Sequence, residues 1–299
     1  YGSLLSPQPV VKTQDQFGND STNGSSGKTA TLTLTGAGTL LGTFALDISS
    51  GTATFADLAV NEVGAGKILI ATADGLTPAD SSSFEVTQKP LTATVTANDK
   101  TYDGNSTAVV TATDISLGLV YGDVVTADTG TSTTFSDENA GTGKTVTATG
   151  ITLSGAKATN YSFDGTGTGT ADINQLVITV TPTVGQTKVY GSTDPVFTYD
   201  FTPALIDGGF TGALSRAGND NVGIYAYTIG GLTAGSNYSL TLVSGTFEIT
   251  QKDLTVTATG IDKEYDANTT ATVNLLDNRV DGDNLTLGYT AVFSDNKNV

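Results

Sequence analysis

Four residue types are missing altogether from this 299-residue chain: cysteine, histidine, methionine and tryptophan. Without cysteine there is no disulfide framework and no thiol chemistry. Without histidine or cysteine there is no serine or cysteine triad, no imidazole base and no zinc site of the usual kind. Charged residues make up only 14% and are lopsided, 13 basic against 30 acidic, for a net charge of -17. The acidity is spread along the whole length as a solvated coat, and no basic stripe exists to hold nucleic acid. No apolar run reaches the roughly 18 residues of a membrane helix, and no window of about 11 residues spaces its apolar positions as a helix does. The opening Tyr1-Gly2-Ser3 shows neither an initiator methionine nor a signal peptide, so the chain reads as a piece of a longer or processed protein.

What is present is strand and turn chemistry. Threonine and valine alternate over long stretches, and 36 glycines punctuate them. The expected class is all-β. The strongest internal signal is Phe247-Glu248-Ile249-Thr250-Gln251-Lys252-Asp253-Leu254, a near copy of Phe84-Glu85-Val86-Thr87-Gln88-Lys89-Pro90-Leu91, with a more worn version at Ala171-Asp172-Ile173-Asn174-Gln175-Leu176. Such periodicity marks joints between repeats. Apolar residues alternate on both sides of each glutamine, which predicts that the closing strand of one unit runs directly into the opening strand of the next, with the glutamine inside a continuous strand. The joints cut the chain into 1–88, 89–175, 176–251 and 252–299. The first three are long enough for a sandwich core, and the fourth is not.

Each segment carries its own motifs. In the first, Asp15-Gln16-Phe17-Gly18-Asn19, then Gly38-Thr39-Leu40-Leu41-Gly42-Thr43, then Ala53-Thr54-Phe55-Ala56-Asp57-Leu58 resemble bacterial Ig-like repeats of invasin- and intimin-type surface proteins. Such domains carry a further strand before the Val10 strand, so the first strand is expected to be incomplete. In the second, Lys100-Thr101-Tyr102-Asp103-Gly104-Asn105 stands at the same distance from its joint as Lys263-Glu264-Tyr265-Asp266-Ala267-Asn268 does in the fourth. Gly122-Asp123 likewise matches Gly282-Asp283, and Phe135-Ser136-Asp137 matches Phe293-Ser294-Asp295. Both segments resemble the YDG repeat. Ala267 in place of Gly104 implies a turn that does not need positive φ, because alanine would cost about 1 kcal/mol there. Aligned on the second segment, Val299 falls at Ala140, so 252–299 reads as the N-terminal half of a second YDG-type domain. Its apolar residues Leu254, Val256, Val273, Leu285, Leu287 and Val292 are then expected to lack a packing partner. The third segment, with Lys188-Val189-Tyr190-Gly191-Ser192-Thr193-Asp194-Pro195, resembles the MBG domain, a mostly bacterial Ig-like module. These resemblances imply tandem Ig-like β-sandwich domains arranged end to end as an elongated rod.

Asn160-Tyr161-Ser162 and Asn237-Tyr238-Ser239 each stand just before a closing strand. A tyrosine there, with its ring buried and its hydroxyl bonded to backbone, would pin a corner between strands. Asp103 with Asp123 is the carboxylate pair weighed for glycosidase-type chemistry, against which stands the lack of an aromatic sugar cleft. Calcium is the one cofactor for which loops offer hard oxygens, at Asp99 with Asp103, at Asp281-Gly282-Asp283-Asn284 and at Asn219-Asp220-Asn221, although none follows the twelve-residue calcium loop. Gly165-Thr166-Gly167-Thr168-Gly169 reads as a flexible threonine-rich hairpin and not as a phosphate loop. Three functional classes follow. The favoured one is a non-catalytic spacer in the stalk of a large bacterial cell-surface or secreted adhesin, whose partners are neighbouring repeats or other copies of the chain. The alternatives are a filament or matrix subunit assembled head to tail by strand complementation, and a glycan- or protein-binding module.

Overall fold

Alternating side chains place one face of each strand in a core and the other in water, and the computed structural model builds sandwiches from that pattern. It describes residues 1–23 and 25–294. Asp295 and Val299, which entered the alignment of the fourth segment, lie outside the described residues. The fold is all-β. Among the described residues, helical structure is confined to two three-residue turns, Ser116–Gly118 and Ala158–Asn160. The chain divides into two compact units, 1–174 and 175–299.

The first unit holds two sandwiches. In the first, Thr29–Thr35 pairs antiparallel with Ala45–Asp47 and with Gly64–Thr72, which also carries Ala79–Asp80 and Phe84–Val86. The opposite layer pairs Val10–Lys12 with Thr52–Thr54, and Leu40–Leu41 with Ala59–Val60. Ala30, Leu32 and Leu69 from one layer close on Ala53, Phe55 and Leu58 from the other. The residues before Val10 join this edge through a Leu4 to Ala59 bridge.

The second sandwich has a sheet in the order Val110–Asp114, Ala93–Ala97, Thr166–Asn174, Gly141–Thr149, Ser132–Phe135, with Lys100–Thr101 added to Thr166–Asn174. Its smaller layer pairs Lys89–Pro90 parallel with Tyr161–Ser162, and Thr126–Ala127 with Leu153–Ser154. The glycine-rich stretch is not a flexible hairpin. It is part of the central strand Thr166–Asn174, bonded in register to Gly141–Thr149. Glycine is required there by crowding. A methyl built on Gly169 would overlap the Val95 carbonyl oxygen, and one on Gly167 would lie 2.9 Å from Val95 Cγ1.

In the second unit, Leu176–Pro182 lies between Tyr199–Thr202 and Tyr238–Leu242, facing a sheet in the order Thr187–Val189, Thr246–Thr250, Gly223–Thr228, Ser215–Arg216. Ile178, Val180, Phe247 and Ile249 are fully buried between them. Phe197 stacks edge-on against both Tyr227 and Phe247, at 5.2 and 5.0 Å. Beyond this, Val256–Ile261 and Thr272–Asp277 form an antiparallel pair. In its segment Leu254, Val256, Leu285 and Val292 are exposed, while Val273 and Leu287 are half-buried.

Two expectations fail here. The joint glutamines are not inside continuous strands. The strand Phe84–Val86 stops before Gln88 and a new one starts at Lys89; Gln175 alone separates Thr166–Asn174 from Leu176–Pro182; and Gln251 to Thr255 separates Thr246–Thr250 from Val256–Ile261. Each glutamine sits where the backbone leaves one set of hydrogen-bond partners for another, and alternation alone does not reveal a change of partner. The turn at Ala267 does need a left-handed backbone: φ is +61° at Ala267 and +74° at Gly104. The fourth segment therefore keeps the turn and bears the strain.

Candidate functional site

The lysine of each Lys-x-Tyr-Asp motif is wrapped by its own loop. Lys100 Nζ donates to Asp103 Oδ1 at 2.7 Å, to the Asn105 carbonyl at 2.5 Å and to Asn105 Oδ1 at 3.1 Å, and lies 5.7 Å from the centre of the Phe135 ring. Lys263 repeats the arrangement with Asp266 at 2.8 Å, the Asn268 carbonyl at 3.1 Å, Asn268 Oδ1 at 2.9 Å and Phe293 at 5.6 Å. An ammonium has three protons to donate, and each loop supplies three oxygens. Burial alone would raise the Asp103 carboxyl, but the Lys100 ammonium and the Asn105 N–H outweigh it and hold the group below the usual carboxylate range. The Lys263 ammonium does the same for Asp266.

The calcium candidates are thus separated from one another in role. Asp103 serves Lys100, whereas Asp99 accepts the Asp172 N–H at 2.7 Å. Asp283 takes the Tyr190 hydroxyl at 2.6 Å, and Asp281 is exposed. Asp220 meets Lys188 at 2.7 Å and also Arg216, two cations already in place. Among the described residues no three carboxylates gather as metal ligands. Asp123 receives two tyrosine hydroxyls, from Tyr161 at 2.5 Å and Tyr1 at 2.8 Å, while Asp103 is held by Lys100.

The corner tyrosines do what their position suggested. Tyr161 is 3% exposed, its hydroxyl accepting the Val120 N–H at 2.8 Å while donating to Asp123. Tyr238, 6% exposed, accepts the N–H groups of Ile206 and Asp207, both at 3.0 Å, and donates to Asp207 Oδ1 at 2.8 Å. Each hydroxyl ties a loop about 30 to 40 residues upstream to the closing hairpin, the buried-ring, bonded-tip use of tyrosine.

The joint glutamines carry a role that spacing did not disclose. Gln88 Nε2 donates to the Thr159 carbonyl at 2.9 Å, and Gln175 Nε2 to the Ser236 carbonyl at 2.8 Å. Both acceptors stand two residues before a corner tyrosine, so the recurring glutamine and the recurring Asn-Tyr pair are two halves of one contact. Beside Gln88, the fully buried Asn160 accepts the Val63 N–H at 3.2 Å, and Lys157 donates to the Asn61 carbonyl at 3.1 Å. A second feature also recurs: Tyr1, Tyr102 and Tyr190 each donate their backbone nitrogen to the carbonyl of the residue before a joint glutamine, Thr87, Asn174 and Thr250, at 2.7, 2.8 and 2.9 Å. Within the first unit, Gln88, Asn160 and Lys157 fasten one sandwich to the other.

Residues 87–171 match the family model of the YDG domain, and residues 178–248 match that of the MBG domain, YGX type. Both are repeat-type modules of the kind often met in bacterial surface proteins. No curated protein and no solved structure matches it.

Proposed function

We propose that this chain is a non-catalytic structural spacer, a stretch of the stalk of a large bacterial cell-surface or secreted adhesin. The observation that carries this reading is the repetition of fastening contacts, the joint glutamine onto the corner loop and the lysine-filled turn, where a catalytic or binding protein would spend its polar groups on a cleft. Four modules are read along the chain: a bacterial Ig-like domain at 1–88, a YDG-type sandwich at 89–175, an MBG-type domain at 176–251 and the N-terminal half of a second YDG-type domain at 252–299. The last is supported by a copied backbone pairing. Phe293 donates its N–H to Thr269 at 2.7 Å as Phe135 does to Ser106 at 2.7 Å, and Thr270 bridges Val292 as Thr107 bridges Thr134. The proposed partners are neighbouring repeats of the same protein, and the proposed location is outside the bacterial cell. A spacer has to hold its ends apart. Small-angle scattering of the chain should give a maximum dimension on the order of 100 Å or more, from about seven strands per sandwich rising roughly 3.3 Å per residue. A maximum dimension near that of one compact globule of this mass would overturn the reading.

A further inference from the structure

One loop shape occurs twice with the same occupant. In the second sandwich, Val120-Tyr121-Gly122-Asp123 turns with the Asp123 N–H donated to the Val120 carbonyl at 3.0 Å and Gly122 at φ +89°. In the fourth segment, Val280-Asp281-Gly282-Asp283 repeats it, Asp283 to Val280 at 3.0 Å with Gly282 at φ +93°. A bonded four-residue turn with positive φ at its third position is a type II turn, which favours glycine there.

Both turns are met by a Tyr-Gly dipeptide from far away in sequence. Tyr1 reaches Asp123 Oδ2 at 2.8 Å, its ring standing edge-on to Tyr161 at 5.5 Å and 84°. Tyr190 reaches Asp283 Oδ1 at 2.6 Å. The glycines that follow lie so close that a methyl on Gly2 would overlap Val120 Cγ2, and one on Gly191 would overlap Val280 Cγ2. Both tyrosines hang from equivalent carbonyls, Thr87 and Thr250, each directly before a joint glutamine.

We propose that the Val-x-Gly-Asp turn of a YDG-type module is a docking socket for a Tyr-Gly dipeptide presented at the joint end of the module before it. The aspartate accepts the phenol and the valine fills the space that only glycine leaves. The socket recognises a module end bearing tyrosine followed by glycine, and it sets which module can precede another. The inference does not depend on where the chain works, because it rests on two copies of one contact.

Desolvation and the carboxylate act together on the first tyrosine, pushing Tyr1 up to about 12, and hydrogen bonding to Asp283 raises Tyr190 as well. Both phenols therefore remain donors at neutral pH.

The test uses the full chain with two spin labels, on cysteines replacing the exposed Val184 and Leu276. With no native cysteine, labelling is specific to these two positions. The parent should give one narrow distance distribution. Gly191→Ala should broaden it, and adding Val280→Ala, which removes the methyl the new side chain would meet, should restore it. Gly185→Ala is the control, since Gly185 has a similar φ of +79° and open space around it, so it carries the backbone strain without the wedge. Tyr190→Phe should broaden the distribution less than Gly191→Ala. If Gly191→Ala leaves the distribution unchanged, broadens it no more than Gly185→Ala, or is not rescued by Val280→Ala, the socket does not exist.

Discussion

Ala267 holds φ at +61°, a backbone region in which an L side chain crowds the following carbonyl. Its counterpart Gly104 meets the same demand at little cost, so the two copies of the turn are a natural experiment in a single residue. Replacing Ala267 with glycine should stabilise its loop by about 1 kcal/mol, and Gly104→Ala should destabilise the second sandwich by a similar amount. Slower amide exchange across Thr269 and Ala271 in the first variant, and a lower urea midpoint in the second, would bear this out. Unchanged values would mean the turn relaxes away from positive φ.

The lysine loops also set a pH window. Asp103, Asp137 and Asp266 all ionise below the usual carboxylate range; Lys144 holds Asp137 as Lys263 holds Asp266, and Lys100 overcomes burial at Asp103. A carboxyl depressed in the folded state contributes stability that is present above its unfolded value, about 4, and is lost as pH falls through the folded value. Stability should therefore be flat from pH 7 to about pH 5 and decline below about pH 4. Asp103→Asn should lower stability at neutral pH and make the acid decline shallower. An equally steep decline in that variant would remove Asp103 from the account.

At the scale of the element, the strand Thr166–Asn174 shows how a sheet can require glycine at its centre. It is bonded to Ala93–Ala97 on one side and Gly141–Thr149 on the other, while Gly167 and Gly169 leave room for Val95 and Ile151 to pack over the strand. Glycine ordinarily weakens a strand, and its presence inside one marks a close backbone approach. Gly169→Ala, pressed against the Val95 carbonyl, should cost roughly 1–3 kcal/mol. Thr168→Ala, on an exposed neighbouring position, should cost far less. Equal effects in thermal unfolding would show that strand propensity, and not crowding, decides the site.

For the molecule as a whole, what matters is whether one sandwich senses the next. Within the first unit the coupling passes through Asn160, a fully buried side chain accepting the Val63 N–H across the joint, and through Gln88 on Thr159. Removing a buried acceptor leaves its donor unsatisfied, at a cost of about 1–3 kcal/mol. Asn160→Ala should therefore destabilise the second sandwich and also speed amide exchange at Val63 in the first. Faster exchange confined to residues after Gln88 would show that the two fold without sensing each other.

Much of this could be read without coordinates, because strand alternation, corner tyrosines and repeated joints are local patterns that each recur in the chain, and recurrence separates a structural motif from chance. The period of two decided the all-β class. Asn-Tyr before each closing strand decided where Tyr161 and Tyr238 would be pinned. The tertiary structure alone decided what fills the space beside a residue. That Gly169 faces a carbonyl of Val95 and that Asp123 gathers hydroxyls from Tyr161 and from Tyr1 depend on segments brought together from 38 to 122 positions apart. A pattern of hydrophobicity records which way a side chain faces; it carries no record of its neighbour across the sheet or across the joint, because that contact is made by chain closure and not by local preference.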